Sequence, residues 1–426
     1  MTTGATRDAP RPPIWASALV IARASAVVAV GVIPAFMAGA LALQMGREFE
    51  LPPVTLGLLI GLFFGCSAIA SWPAGRLVER IGEDAGMRLS TFGAAICLLG
   101  IGVAGKDAVS VAGFLIVGGL ANGLANPAAN LLLVGAIPAH RQALALGMKQ
   151  AAIPGATLLA GLSLPLLALT LGWRWAFTAA AIAALFLAFT KRPHGAARHA
   201  VRIRVASAEH LGAGRPTSPA TATSAGPLNM VLLAGAATLG IWGGQSMGAY
   251  LVSYAVDSGV SEAGAGLVLT MASLSGIAAR IGAGFLVDRA RSNGVRELAV
   301  MLGIGALSLL LLASRIPALV WLAPISAFAG GWGWNGVLTY VVVRANPHAP
   351  AAATGITQTG VFVGATIGVP LFGVIAQASS YGTAWVATAL SALAAALIVA
   401  FVGRRLPSGP VTEGGLIVGE RSVSGR

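Results

Sequence analysis

Charge is what this chain has least of. Only 10% of its 426 residues are charged, against about 25% in an ordinary soluble domain. Too few polar side chains are present to cover a sphere of this size in water, which excludes a soluble enzyme. Cysteine is almost missing: Cys66 and Cys97 both lie in apolar runs, which excludes a disulfide framework and a cysteine zinc site. Acidic residues number 14 and histidines 5, and no nucleotide-binding glycine loop interrupts the apolar runs, so no cofactor is expected and no enzyme. The 57 glycines follow no three-residue period. Intrinsic disorder, which requires low hydrophobicity, is excluded by a 56% hydrophobic content.

What is present is apolar sequence in long runs. A bilayer core about 30 Å thick is crossed by about 20 apolar residues of helix. Twelve such runs are found, near 24–44, 54–74, 89–105, 108–133, 143–169, 174–190, 228–255, 263–286, 297–313, 316–343, 352–378 and 381–402. The stretch 191–227 differs, with six basic residues, many Pro, Ser, Thr and Gly, and no apolar period. It reads as a flexible linker. The predicted organisation is a six-helix bundle over 1–190, the linker 191–227, a second six-helix bundle over 228–402, and a tail 403–426. Since eleven more spans follow the first, that first run reads as an uncleaved helix rather than a signal peptide.

The excess of 27 Lys and Arg over 14 Asp and Glu sets orientation. With the N-terminus inside, 21 of the 27 fall in inner segments, four in outer loops (Arg47, Lys106, Arg174, Arg315), and two within spans, Lys149 and Arg280. This is a strong positive-inside bias. It predicts cytoplasmic N- and C-termini in an inner cell membrane, and it makes a nucleic-acid partner unnecessary to explain the charge.

The two halves repeat each other. Gly75-Arg76-Leu77-Val78-Glu79-Arg80 matches Gly284-Phe285-Leu286-Val287-Asp288-Arg289 at an offset of 209; Gly57, Asn126 and Pro138 match Gly266, Asn335 and Pro347 at the same offset. After one deletion, His140, Gly147 and Gln150 match His348, Gly355 and Gln358 at 208. Through these residues the chain resembles the major facilitator superfamily over all twelve spans. The family's loop between the second and third spans has the pattern Gly-x-x-x-Asp-Arg-x-Gly-Arg-Lys. Here it reads Gly75 to Arg88, with Glu79 for the Asp, Arg80 and Gly82 matching, and Glu83 and Asp84 where basic residues are usual. The resemblance implies an all-α membrane protein of two pseudo-symmetric six-helix bundles. It implies a gating role for Gly75, Glu79, Arg80, Gly82, Arg88, Gly284, Asp288 and Arg289; a plain topogenic loop is the alternative. Close approach of helices at Gly75 and Gly284 belongs to that expectation. Glycines recur at i, i+4, i+8 in the second span (Gly57, Gly61, Gly65) and the eleventh (Gly360, Gly364, Gly368). Each is a smooth strip for close packing, across the interface between halves as the resemblance implies, or within one half.

No Asp, Glu or His falls at membrane depth, so the interior offers no proton relay and no metal site. It holds two cations instead. Lys149 lies eight residues after Arg141 and Arg280 eight before Asp288, about 12 Å along a helix, so the two share a depth. Their repeat mates are Thr357 and Ser71, so each charge departs from the symmetry. An intramembrane cation costs about 2.5–3.5 kcal/mol on insertion scales and needs a partner, and an anionic solute supplies one. Arg280 and Lys149 are therefore the leading substrate candidates, with Gln150, Asn126, Asn335 and Gln358 as softer ones. Snorkelling of Lys149 and stapling of helices by Arg280 are the structural alternatives.

The function expected is a secondary transporter working by alternating access, a monomer in the lipid bilayer whose partner is a small organic or inorganic anion, with a proton as a further coupling partner. The resemblance is nearest to bacterial cyanate, nitrate and monocarboxylate carriers. The rival readings are an exporter of neutral or amphiphilic compounds and a non-transporting sensor.

Overall fold

A computed structural model describes residues 14–137, 139–190, 226–290, 294–346 and 350–405. Among them there is helix and no strand. In the first half α1 is Ile14–Ala40, followed by a short turn of helix Ala42–Gly46. Then come α2 (Pro53–Ile81), α3 (Glu83–Ala104) and α4 (Ala108–Ala136). Helix α5 runs in three pieces, Ala139–Gln150, Ala152–Ser163 and a π-helical Leu164–Ala168, and α6 is Trp173–Phe189. The second half has α7 (Pro227–Asp257), α8 (Glu262–Ala290) and α9 (Val295–Ala313). Helix α10 is again in pieces, Pro317–Ser326, a π-helical Ala327–Trp332 and Asn335–Ala345. Helices α11 (Pro350–Ala378) and α12 (Tyr381–Gly403) complete it.

The apolar runs are helical, two of them in pieces. Ten stretches are long and apolar enough to cross a membrane; α6 is a shorter apolar helix and α10 is interrupted. The interruption has a packing cause. Gly330 and Gly331 lie so close to α9 that a Cβ on Gly305 would stand 2.3 Å from the Gly331 Cα. The backbone there approaches more tightly than helices bearing side chains allow, and the chain makes this contact in a short π-helical segment, a rare element found mostly as single-turn bulges within α-helices. Residues 191–225 and 406–426, most of the expected linker and tail, lie outside the described residues. Pro227, placed at the end of that linker by the sequence, is the first residue of α7.

The bundle has two chemically distinct ends. One carries Glu48, Asp107, Asp257 and Glu262 and is called the acidic end below; the other carries Arg76, Arg80 and Arg88. The acidic end is tied by charge. Arg174 pairs with Glu48 at 2.6 Å and Arg315 with Asp257 at 2.8 Å, each within its own half, while Arg47 pairs with Glu262 from one half to the other. Asp107 caps α4 reciprocally with Ser110. The Ser110 backbone N–H, 2.7 Å from its carboxylate, holds that carboxyl below the ordinary range. At the other end Gly82 alone joins α2 to α3 at φ +88°, a conformation that favours glycine. Asp84, set where the family pattern has a basic residue, meets Arg23 at 2.8 Å. Arg23 also donates to the Thr190 carbonyl at 3.3 Å, joining the beginnings of α1 and α3 to the end of α6.

The halves are closed on each other toward the acidic end. Gln44 donates to Glu262 at 2.6 Å, the Val54 N–H to Gln377 at 3.2 Å, and the Tyr250 hydroxyl to the Pro53 carbonyl at 2.8 Å. Deeper, the hydroxyls of Thr157 and Ser273 meet at 2.8 Å. Backbones touch where glycine permits: a Cβ on Gly39 would lie 2.6 Å from the Ala249 carbonyl oxygen, and one on Gly161 2.8 Å from that of Gly266. The two glycine strips divide their work. Gly57, Gly61 and Gly65 face α11 of the other half, at Val369, Pro370 and Thr366. Gly360, Gly364 and Gly368 face α7 of their own half, at Ala234, Thr238 and Trp242.

Candidate substrate site

The two interior cations are connected through α5: Arg280 reaches the backbone of Gln150, next in sequence to Lys149. Arg280, only 7% exposed, sends one terminal nitrogen to the Gln150 carbonyl on α5 of the other half and the second to the Trp332 carbonyl on α10, at 3.0 Å. The Gln150 carbonyl is a helix carbonyl that has lost its usual donor. Pro154 stands four residues after Gln150 and has no N–H to offer. Trp332 closes the π segment of α10. Inside a membrane a freed carbonyl must be satisfied by a neighbouring side chain, and Arg280 does this for Gln150 while its other arm holds Trp332.

The repeat shows which part of this is special. Ser71, the mate of Arg280, donates at 2.7 Å to Ser67 of its own helix and lies 3.4 Å from the carbonyl of Gly123, the mate of Trp332; Gly123 is freed in turn by Pro127. The approach of this side chain to the equivalent carbonyl is thus common to both halves. The second arm, from Arg280 to Gln150, is not: the mate of Pro154 is Phe362, so donor and freed acceptor both depart from the repeat.

Trp332 seals this level. Its ring, 2% exposed, is met edge-on by Phe36 at 5.5 Å and Phe328 at 5.1 Å and lies 5.7 Å from the Arg280 guanidinium. It packs on Gly244, where a Cβ would stand 2.4 Å away. An aromatic plug built from both halves therefore closes the site toward the acidic end.

Lys149 does not snorkel. It is 3% exposed, and its ammonium donates to Asn126 Oδ1 at 2.8 Å and Asn130 Oδ1 at 2.7 Å, both on α4. Among the described residues neither cation meets a carboxylate. Asn335 is buried at the start of the last piece of α10, and Gln358 is half-buried on α11. Neither shares a hydrogen bond with the cations among the described residues, and Gln150 takes part through its carbonyl. Around the second half's core further buried polar atoms find no protein partner among the described residues: Arg280 Nε, Trp242 Nε1, Gln245 Oε1 and Ser246 Oγ.

The expected gating loop stands apart. Glu79, Arg80 and Arg88 are exposed, and a Cβ on Gly75 would meet nothing within 4 Å, so no helix approaches there in this state. The side chains around Gly284, Asp288 and Arg289 lie outside the described residues. The residue that sequence reasoning passed over is Pro154. Its signal was available, since a proline inside an apolar run frees the carbonyl four residues back.

A sequence profile described as Major Facilitator Superfamily matches residues 19–301 and again 233–424. The chain belongs to the Major Facilitator Superfamily. The two matches overlap as a chain built from repeats should, and membership marks a multi-pass membrane transporter rather than an enzyme. Among curated proteins none matches significantly. Solved structures share its fold. The xylose transporter XylE from E. coli, in a partially occluded inward-open conformation, has a TM-score of 0.71 at 17% identity, covering 93% of this chain and 100% of its own. A bacterial homolog of the human lysosomal transporter Spinster, inward-facing and occupied, has a TM-score of 0.69 at 15% identity, covering 93% and 98%. A D-xylose-proton symporter has 0.67 at 18%, covering 93% and 98%.

Proposed function

We propose that this protein is a twelve-span secondary carrier of a small organic or inorganic anion in an inner cell membrane. Its two six-helix bundles alternate access to a site between Arg280 and Lys149, with both termini cytoplasmic. The observation that carries the anion class is the pair of buried cations without a carboxylate partner among the described residues. Carbonyls and amides solvate a cation but leave its net charge in place. A mobile oxyanion neutralises that charge. With no acidic residue at membrane depth, coupling falls to exchange or to a proton carried by the solute itself.

A second reading, export of a neutral or amphiphilic compound, is favoured by one observation: each cation already has two oxygen acceptors, so both can serve as helix ties. Counterflow in proteoliposomes separates the two. Anions such as formate, oxalate and nitrate should exchange, and Arg280→Gln should slow that exchange at least tenfold. Neutral-solute counterflow that persists unchanged in Arg280→Gln sinks the anion reading and leaves the exporter.

A further inference from the structure

We propose that Asn126 and Asn130 are the oxyanion-binding groups of the first half, and that Lys149 acts as the residue that positions them rather than as a direct ligand. The inference rests on the anion reading above and deepens it. An ammonium has three donors and no acceptor. Its contacts at 2.8 and 2.7 Å must therefore be to the amide oxygens of Asn126 and Asn130, which fixes the rotation of both amides without ambiguity. With each oxygen turned to Lys149, both NH2 groups turn away from it. The two residues are one helical turn apart on α4, so their N–H donors form a single donor-only face. Lys149 is buried, Asn126 half-buried and Asn130 exposed, so the charge lies deeper than the amides it orients.

Helix packing does not require this arrangement. The repeat mates of Asn126, Asn130 and Lys149 are Asn335, Thr339 and Thr357. There the cation is missing, and both threonine hydroxyls donate to carbonyls of their own helices, Asn335 at 3.1 Å and Thr354 at 3.1 Å. The second half thus packs the equivalent helices with no charge and no oriented amides. A group that binds oxygen-bearing anions with no countercharge in the protein fits the first-half arrangement: its oxyanion takes the amide donors, and the ammonium behind compensates its charge.

The test is the anion dependence of the melting temperature of the purified full-length carrier, titrated separately with formate, oxalate and nitrate, which gives an apparent Kd for each. Asn126→Leu and Asn130→Leu are made singly, so that Lys149 keeps one acceptor and its charge and the fold is retained; the ligand-free melting temperature checks this. Each is expected to weaken anion binding about tenfold although the cation is still present. Lys149→Met should weaken it to the same degree, and Lys149→Arg, which can hold both amide oxygens, should restore it. Stabilisation equal to the parent in both asparagine variants overturns the cradle while leaving the anion reading intact. A parent that none of the three anions stabilises overturns the anion reading, and the cradle with it.

Discussion

Arg280 and Lys149 are legible in the sequence as charges within apolar spans, yet what surrounds them is not. Their partners are a freed carbonyl, a second carbonyl at the end of a π segment, and two amide oxygens. A backbone carbonyl is no residue type, so a reading by motif passes over it; only the position of Pro154 announces it. If Pro154 creates the need that Arg280 meets, the two sites must couple. Arg280→Met strands the Gln150 carbonyl in an apolar interior, and an unsatisfied buried acceptor costs about 1–3 kcal/mol. Pro154→Ala gives that carbonyl a donor from its own helix. The expected outcome is a large fall in melting temperature for Arg280→Met alone and a clearly smaller one when Arg280→Met is made together with Pro154→Ala. Losses that simply add would mean the two residues act independently.

At the scale of elements, the glycine strips were visible as i, i+4 spacing, but spacing describes a smooth face and not the helix that occupies it. Coordinates separate them. The strip on α2 meets α11 across the halves, and the strip on α11 meets α7 within one half. The same chemical change should then have two different effects. A Cβ on Gly57 would stand 2.9 Å from the Pro370 Cα, and one on Gly61 2.8 Å from the Thr366 carbonyl oxygen, contacts that exist only while the acidic end is shut. Gly57→Ala and Gly61→Ala should leave each half folded and hold the acidic end open. Gly364→Ala places a Cβ 2.3 Å from the Thr238 carbonyl oxygen inside the second half and should lower the melting temperature instead. Accessibility to a thiol reagent of a cysteine at Tyr250, in a Cys66→Ser and Cys97→Ser background, reports the first effect. A rise with Gly364→Ala and none with Gly57→Ala would reverse the assignment. The interruptions of α5 and α10 escaped the sequence for a related reason: hydropathy sums over a run and is blind to a π segment within it.

For the whole molecule, the repeat and the distribution of basic residues gave the architecture, because both are sums over many positions. The conformational state was not legible, since two arrangements of one sequence that differ by a few kcal/mol leave no trace in composition. Seen from its contacts, the molecule is shut at its acidic end: Glu262 is held by Arg47 and Gln44, and Tyr250 by Pro53. The proposed topology puts that end outside, because basic segments resist translocation whereas acidic residues contribute little to orientation. Three of the four basic residues expected outside, Arg47, Arg174 and Arg315, are paired with local carboxylates, so even that small opposing charge is neutralised at its own end. Orientation can be read without any knowledge of the solute. In the cysteine-free background, single cysteines at Lys106 and Ser379 should react with a membrane-impermeant maleimide in intact cells. Cysteines at Arg88 and Arg404 should react only in inverted vesicles. All four sites lie on exposed surface at the two ends, so labelling follows sidedness rather than burial. Labelling of Arg88→Cys in intact cells would invert the topology and, with it, the assignment of the closed end to the outside.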